Sequence, residues 1–373
     1  MSTLTGNQWE SEHKPPVAAT GIVAWLRANL FSTPLNIALT VLSVWFLYLV
    51  VPPLFEWAVL DAAWTGTRIE DCPDREAACW VFVGARWSTF VYGSYPAVER
   101  WRIDLVFALG GLGLVLLMLP RVPAKGSIGI AMLTLYPVLT FGLLLGGWFG
   151  LRRVPTTEWG GLMLTLVVAV WAIATSIPLG LLLALGRRSP QRVIRWFCIA
   201  NIEFWRGVPL INVLFLAIVM FPLFVPPGVD FDKLLRALVA FSIFNAAYMA
   251  EVFRGGLQAI PPGQYEAARA LGLGYVRMMA FVILPQAVRI ALPALVNTCI
   301  GIFKETTLIL IIGLFDLLAV IQAGMADPAW IAGEHVRTSG YVFAALGFWI
   351  FCYGMSRYSR YLDRQLAAGR APS

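Results

Sequence analysis

The chain has 373 residues, of which 59% are apolar and only 13% are charged. A soluble domain carries nearer one quarter charged residues, so a water-facing globular fold is excluded, as are a disordered chain and a disulfide scaffold. The net charge of 28 − 21 = +7 does not point to nucleic acid in so apolar a chain. It is read as the excess of Lys and Arg that membrane proteins keep on their cytoplasmic side.

About 20 helical residues cross a hydrocarbon core. Stretches free of Asp, Glu, Lys and Arg predict eight spans: Ala28–Phe55, Leu105–Pro120, Gly126–Leu151, Trp159–Gly186, Gly207–Val229, Ala237–Ala250, Ile290–Phe303 and Thr338–Ser356. The sixth is short and needs Lys233 and Arg254 at the two interfaces. The seventh runs on to Phe315 only if Lys304 and Glu305 lie within the membrane. Residues 1–27 are polar and read as a cytoplasmic tail; no cleavable signal peptide is visible.

Arg187, Arg188, Arg192 and Arg195 mark a cytoplasmic turn, as do Arg121 with Lys125, and Arg357, Arg360, Arg364 and Arg370 in the tail. Segment 56–100 is acid-rich and is expected outside, as are 226–233, with Asp230, Asp232 and Lys233, and 316–337. Both termini are then cytoplasmic. Arg152 and Arg153 dissent, since their loop must also face outside. The layout divides into three leading spans over 28–150, with the external loop 56–100, and a five-span part over 155–365.

The external loop holds Trp57, Trp64, Trp80 and Trp87, some of them expected at the membrane interface, and the pair Cys72 and Cys79. An oxidising compartment favours a disulfide between them, the alternative being two free thiols. Cys198, Cys299 and Cys352 fall in or beside spans, where apolar packing is the better reading. His13 and His335 lie outside the spans and are expected to be solvated; the sequence holds no Cys/His metal cluster.

Residues 248–293 carry most of the information. Pro261-Pro262-Gly263 breaks the chain after the sixth span. Gln264–Leu271 is rich in helix formers, and Gly272 suits a C-terminal cap. Tyr265, Ala268, Leu271 and Gly272 are expected on one face, with small Ala267 and Ala268 leaving room for another surface. A second helical stretch, Tyr275–Leu284, is expected to end at Pro285. Such a helix–turn–helix can be a docking element or an ordinary interfacial connection.

Glu266-Ala267-Ala268, three residues, Gly272, nine residues, then Val282-Ile283-Leu284-Pro285 resembles the EAA loop of ABC importer permeases, with Val282 in place of the usual Ile. Tyr248-x-Ala250-Glu251-x-x-Arg254-Gly255-Gly256, Ile260-Pro261-x-Gly263-Gln264 and Leu284-Pro285-Gln286-Ala287-x-Arg289 together resemble the polar amino-acid uptake subfamily. Trp205–Leu210 resembles that subfamily's Arg-Gly-Thr-Pro-Leu segment, and Lys304-Glu305-Thr306-Thr307-Leu308 its Lys-Asp-Thr-Ser-Leu. The extra spans and external loop resemble the general L-amino-acid permease subunits of proteobacteria.

The resemblance implies an all-α integral membrane protein of the bacterial inner membrane: a type I ABC importer permease core of five helices preceded by three extra ones. It implies two ATPase subunits, a homologous second permease subunit and a periplasmic amino-acid-binding protein as partners. ATP and Mg are expected on the ATPases and no cofactor on this chain, which lacks a Gly-x4-Gly-Lys-Ser/Thr loop and is not itself read as an enzyme. No nucleic acid is expected; the lipid bilayer is.

The coupling loop is 257–285, with Gln264, Tyr265, Glu266, Ala267, Ala268, Leu271 and Gly272 at the contact. Glu266 would tie the loop to its surroundings, and Gly272 would make a turn that a side chain obstructs. Glu251 and Arg254 are read as structural partners of the loop, and Arg206 as snorkelling beside Glu203. Lys304 and Glu305 either complement a zwitterionic substrate or form an internal ion pair at a helix break that Thr306 and Thr307 assist. Asn245, Tyr248 and Asn297 are helix–helix hydrogen bonders or substrate ligands. An ion-coupled secondary transporter is the alternative; it would need no such loop and would more often carry several intramembrane carboxylates. A membrane enzyme would need convergent catalytic groups, and the sequence shows no Ser/His/Asp or metal constellation.

Overall fold

The computed structural model describes residues 21–72, 77–119, 122–148, 150–226, 228–229, 231–331 and 334–368. Arg121, Asp230, Arg370, His13 and most of the N-terminal tail lie outside the described residues. Among those described there is no strand, and Gly161 and Asp316 form an isolated parallel bridge. Among the described residues seven helices are long and apolar enough to cross a membrane, or eight if a bent pair counts as one. This fits the membrane rule that each backbone N–H and C=O must be satisfied within its own segment.

The chain forms two compact units, residues 1–63 with 72–78, and 64–71 with 79–373. In the first, α1 (Ile22–Asn29) precedes α2 (Pro34–Phe55), which a wide π turn continues to Leu60. Thr33 caps α2 by accepting a hydrogen bond from the Asn36 N–H at 3.2 Å, and Pro34 fits the first turn, where an N–H would be unpaired anyway.

The second unit holds α3 (Trp80–Tyr92), α4 (Trp101–Met118), α5 (Lys125–Leu145), α6 (Gly161–Arg187), α7 (Arg192–Gly207), α8 (Leu210–Phe215, prolonged to Phe224) and α9 (Lys233–Gln258). There follow α10 (Pro262–Ala270), α11 (Tyr275–Met278), α12 (Leu284–Glu305, prolonged by a 3-10 turn to Ile312), α13 (Leu317–Met325) and α14 (Glu334–Ala368). Helices α6 and α9 pack along most of their lengths, α12 packs on α9, and α14 on α12. Lipid gives no hydrophobic drive to helix association, so close backbone approach through small residues has to supply it. Gly180 of α6 does this: a Cβ there would lie 2.5 Å from Met249 Cβ and 2.9 Å from the Ala246 carbonyl oxygen. Gly256 of α9 meets α12 in the same way, 2.5 Å from the Ala287 carbonyl oxygen.

Three expectations need correction. The stretch 56–100 is not all loop. Trp80–Tyr92 is a helix of 13 residues, too short to be found by a search for spans, that buries Val81, Phe82, Val83 and Phe90. It packs on α6, α13 and α14, with Phe82 set edge-on to Trp330 at 5.3 Å and Arg86 paired with Asp327. The expected fifth span, Gly207–Val229, is preceded by a helix that was not expected: α7 and the α8 segment meet at 103° across Val208-Pro209, where Pro209 supplies no N–H and disfavours a helical Val208. Pro285 starts α12 rather than ending a helix, because the π turn Met279–Ile283 carries the chain into it and a proline in the first turn loses no hydrogen bond.

The Arg152-Arg153 loop has a partial explanation. The Arg152 carbonyl accepts a hydrogen bond at 2.9 Å from Arg102, which is 1% exposed and ion-paired with Glu99 at 2.6 Å. The loop is held as the cap of a buried guanidinium.

Asp316 is also fully buried. One oxygen caps α13 by accepting from the Ala319 N–H at 2.9 Å, and the other has no partner among the described residues. Burial pushes its carboxyl up from 3.8 to about 6. The folded state therefore holds the proton more tightly than the unfolded chain, and stability falls as pH rises between roughly 4 and 6. Asp316→Asn keeps the cap and removes the charge. Thermal unfolding of the purified chain should show a shallower loss over that window, with stability at pH 7 no lower than wild type. Separately, Gly180→Val should destabilise by about 1–3 kcal/mol in a detergent unfolding titration. An unchanged midpoint would mean that α6 and α9 do not meet at this glycine.

Candidate functional site

The site is the short helix α10 and the span ends around it. Pro261 precedes the helix and Pro262 opens it. At the other end Gly272 has φ +72, its N–H bonding the Arg269 carbonyl at 2.9 Å while the Leu273 N–H bonds that of Ala268 at 3.2 Å. An L residue adopts that backbone only under strain. A Cβ at Gly272 would meet nothing within the chain, so the demand for glycine comes from the backbone and not from crowding by this chain.

Helix α10 has two different faces. Ala268 is 3% exposed and packs into the chain, with Tyr265 half-buried beside it. Glu266, Ala267 and Gly272 are exposed, and Leu271 is 80% exposed. The expected grouping of Tyr265, Ala268, Leu271 and Gly272 is therefore split: the first two turn inward and the last two outward. Glu266 pairs with no described residue, so its carboxylate does not tie the loop within this chain.

The inward face is fastened to three spans. Arg188, at the end of α6, donates to the Tyr265 hydroxyl at 3.1 Å, and its guanidinium lies 5.6 Å from the ring centroid. The Tyr265 hydroxyl donates to the Leu257 carbonyl of α9 at 3.5 Å. Gln286 of α12 donates to the Gln264 side chain at 3.1 Å. In the sequence Arg187 and Arg188 served only to orient the chain, and nothing local to them signals a partner 77 residues away.

A charge cluster lies next to these contacts. Glu251 of α9 accepts from Arg187 at 2.7 Å and is paired with Arg254 at 2.6 Å. Arg187 also reaches Glu203 at 3.3 Å, and Arg206 lies 3.9 Å from Glu203 and 5.9 Å from the Tyr248 ring centroid. Glu251 and Arg254 thus bind span ends together, and neither bonds α10 itself.

Further along α12 the helix changes from α to 3-10 at Thr306. Thr306 and Thr307 turn their hydroxyls back onto the carbonyls of Phe303 and Lys304 at 2.8 and 3.0 Å. Such back-bonding eases a change of helix type. Among the described residues Lys304 and Glu305 form no ion pair with each other. The Glu305 carboxylate is partly buried and turned toward Asn245 of α9, a buried side chain that also donates to the Phe241 carbonyl at 3.1 Å. Asn297 and Lys304, two turns apart, are exposed on one face of α12. Cys198, Cys299 and Cys352 are free thiols.

Residues 176–368 match the family model described as "Binding-protein-dependent transport system inner membrane component". The chain is 49% identical over 350 residues to an inner membrane amino-acid ABC transporter permease protein, YhdY, of Escherichia coli, covering 94% of each chain. It is 36% identical to the glutamate/glutamine/aspartate/asparagine transport system permease protein BztC of Rhodobacter capsulatus, covering 94% of this chain and 95% of that one. A crystal structure of an amino acid ABC transporter with histidines aligns at 31% identity and a TM-score of 0.47, covering 55% of this chain and 92% of that one. Helical spans throughout, the motif-bearing α10 between α9 and α12, the family model over 176–368 and the two relatives aligned over nearly the whole length agree: the chain belongs to the amino-acid ABC transporter permease family.

Proposed function

We propose that the chain is a membrane-spanning subunit of an ATP-driven importer of L-amino acids, working with a related second permease, two ATPase subunits and a binding protein on the outer side. The observation that carries this is the two-faced α10: its inward side is hydrogen-bonded to three spans, while Glu266, Ala267 and Leu271 stand free on its other side. A helix so arranged can seat in a groove of an ATPase and move with it. In this reading the end of the spans that carries α10 is cytoplasmic, as are both termini, with α3 outside. ATP and Mg stay on the ATPases. Segment 28–150 is an addition to the permease core at 155–365, with 257–285 as the coupling loop and a Cys72–Cys79 bridge closing part of the outer loop.

The substrate path would run past Asn245, Glu305 and Thr306, with Asn297, Lys304 and Thr307 on the α12 face that this chain leaves uncovered. A partly buried carboxylate beside an amide, near an exposed ammonium, complements a zwitterion, and charge within the membrane is too costly to be idle. Alternating access would then come from rocking of the spans as the ATPases close.

Uptake of labelled amino acids into membrane vesicles holding the whole complex and trapped ATP tests the reading. Wild type should transport only with ATP. Gly272→Leu should reach the membrane and lose about tenfold or more in uptake, since the variant strains the φ +72 backbone by about 1–2 kcal/mol and adds a side chain at the docking face. Uptake that follows an ion gradient without ATP, or full transport by the variant, would overturn the reading.

A further inference from the structure

We infer that Arg188 is a positioning residue that makes movement of α10 move α6 and α9 together, an inference that rests on the permease reading above. Three groups from three elements meet at one point. The Tyr265 hydroxyl accepts from Arg188 at 3.1 Å and donates to the Leu257 carbonyl at 3.5 Å. The same guanidinium nitrogen reaches that carbonyl at 3.5 Å, and the guanidinium carbon lies 5.6 Å from the Tyr265 ring centroid. The Leu257 carbonyl belongs to the last turn of α9, where carbonyls have no partner within the helix. The phenol and the guanidinium therefore satisfy a group that helix geometry leaves open, and in doing so they lock three elements into register.

The two connections of α10 differ in stiffness. Toward α9 only Ala259, Ile260 and Pro261 intervene, and Ile260 is buried. Toward α12 the chain passes through Gly272, at φ +72 in open space, and Gly274. Glycines bend at low energy. A push on α10 would be absorbed there unless the other side of the helix were fixed, and the Arg188–Tyr265–Leu257 contact fixes it.

The contact also acts on a braced support. Arg187, the adjacent residue, bonds Glu251 of α9 at 2.7 Å and lies 3.3 Å from Glu203 of α7. Force reaching Arg188 is thus delivered to the joined ends of α6, α7 and α9 and not to a loose terminus. α6 lies far from α10 in sequence, so a side-chain contact is needed to link them directly. Hydrogen bonds weaken steeply with angle, which makes such a link resist rotation of α10 as well as separation.

The test uses the complete complex in proteoliposomes, with ATP hydrolysis and amino-acid uptake measured on the same sample. Arg188→Ala should hydrolyse ATP at the wild-type rate while uptake per ATP falls about tenfold or more, the factor expected for losing one charged hydrogen bond from a coupling path. Arg188→Lys, which can still donate to the phenol, should recover part of that ratio. Tyr265→Phe should lower the ratio as Arg188→Ala does, and the double variant should be no worse than either single one. An unchanged ratio in Arg188→Ala overturns the inference. So does a parallel loss of hydrolysis and uptake in both Arg188 variants at normal membrane levels, because that is the signature of a merely structural residue. A wild-type complex without ATP-driven uptake overturns the permease reading itself, and is told apart by failing before any variant is compared.

Discussion

At Gly180 the axis of α6 comes so near α9 that a Cβ would lie 2.5 Å from Met249 Cβ and 2.9 Å from the backbone nitrogen of Ala250. In lipid, where apolar side chains gain little by leaving one apolar medium for another, this approach does what hydrophobic burial does in water. It holds α9 so that Gly256 in turn admits α12. It brings Arg187 within reach of Glu251, and Arg188 within reach of Leu257 and Tyr265. The placement of α10, the charge cluster and the Asn245–Glu305 pairing are all set by how α6, α9 and α12 stack.

Helix α10 gains its character from that stack and not from its own stability. Nine residues make a helix too short to persist alone in water. A proline before it and another at its first position, a left-handed glycine after it and three tethers on its inward side hold it. What remains exposed is a small surface carrying Glu266, Ala267, Arg269 and Leu271. Such a face suits close contact with a second protein more than solvent or headgroups, because Ala267 keeps the backbone accessible and Leu271 supplies apolar area.

Much of this was legible in the sequence, for identifiable reasons. Charge-free runs near 20 residues gave the spans, since the hydrocarbon thickness sets their length. Helix α3 escaped because it is short and its burial comes from α6, α13 and α14, which no local pattern reveals. The bend between α7 and α8 was visible only as Val208-Pro209, two residues whose effect depends on what the freed chain packs against. Helix α10 could be placed to within two residues from Pro261-Pro262-Gly263 and Gly272, expected over Gln264–Leu271 and found over Pro262–Ala270, yet which face it turned inward could not, and Leu271 went to the wrong side. Arg188 carried no signal, because its bond to Tyr265 is a tertiary contact.

The most direct measurement places a photo-reactive amino acid singly at Ala267, Leu271 and Ala268 in the assembled complex and asks what each captures. The account predicts adducts with an ATPase subunit from positions 267 and 271, and none from 268, whose side chain is buried in its own chain. Capture from 268 but not from 267, or no capture from any of the three in a complex that transports on ATP, would contradict it.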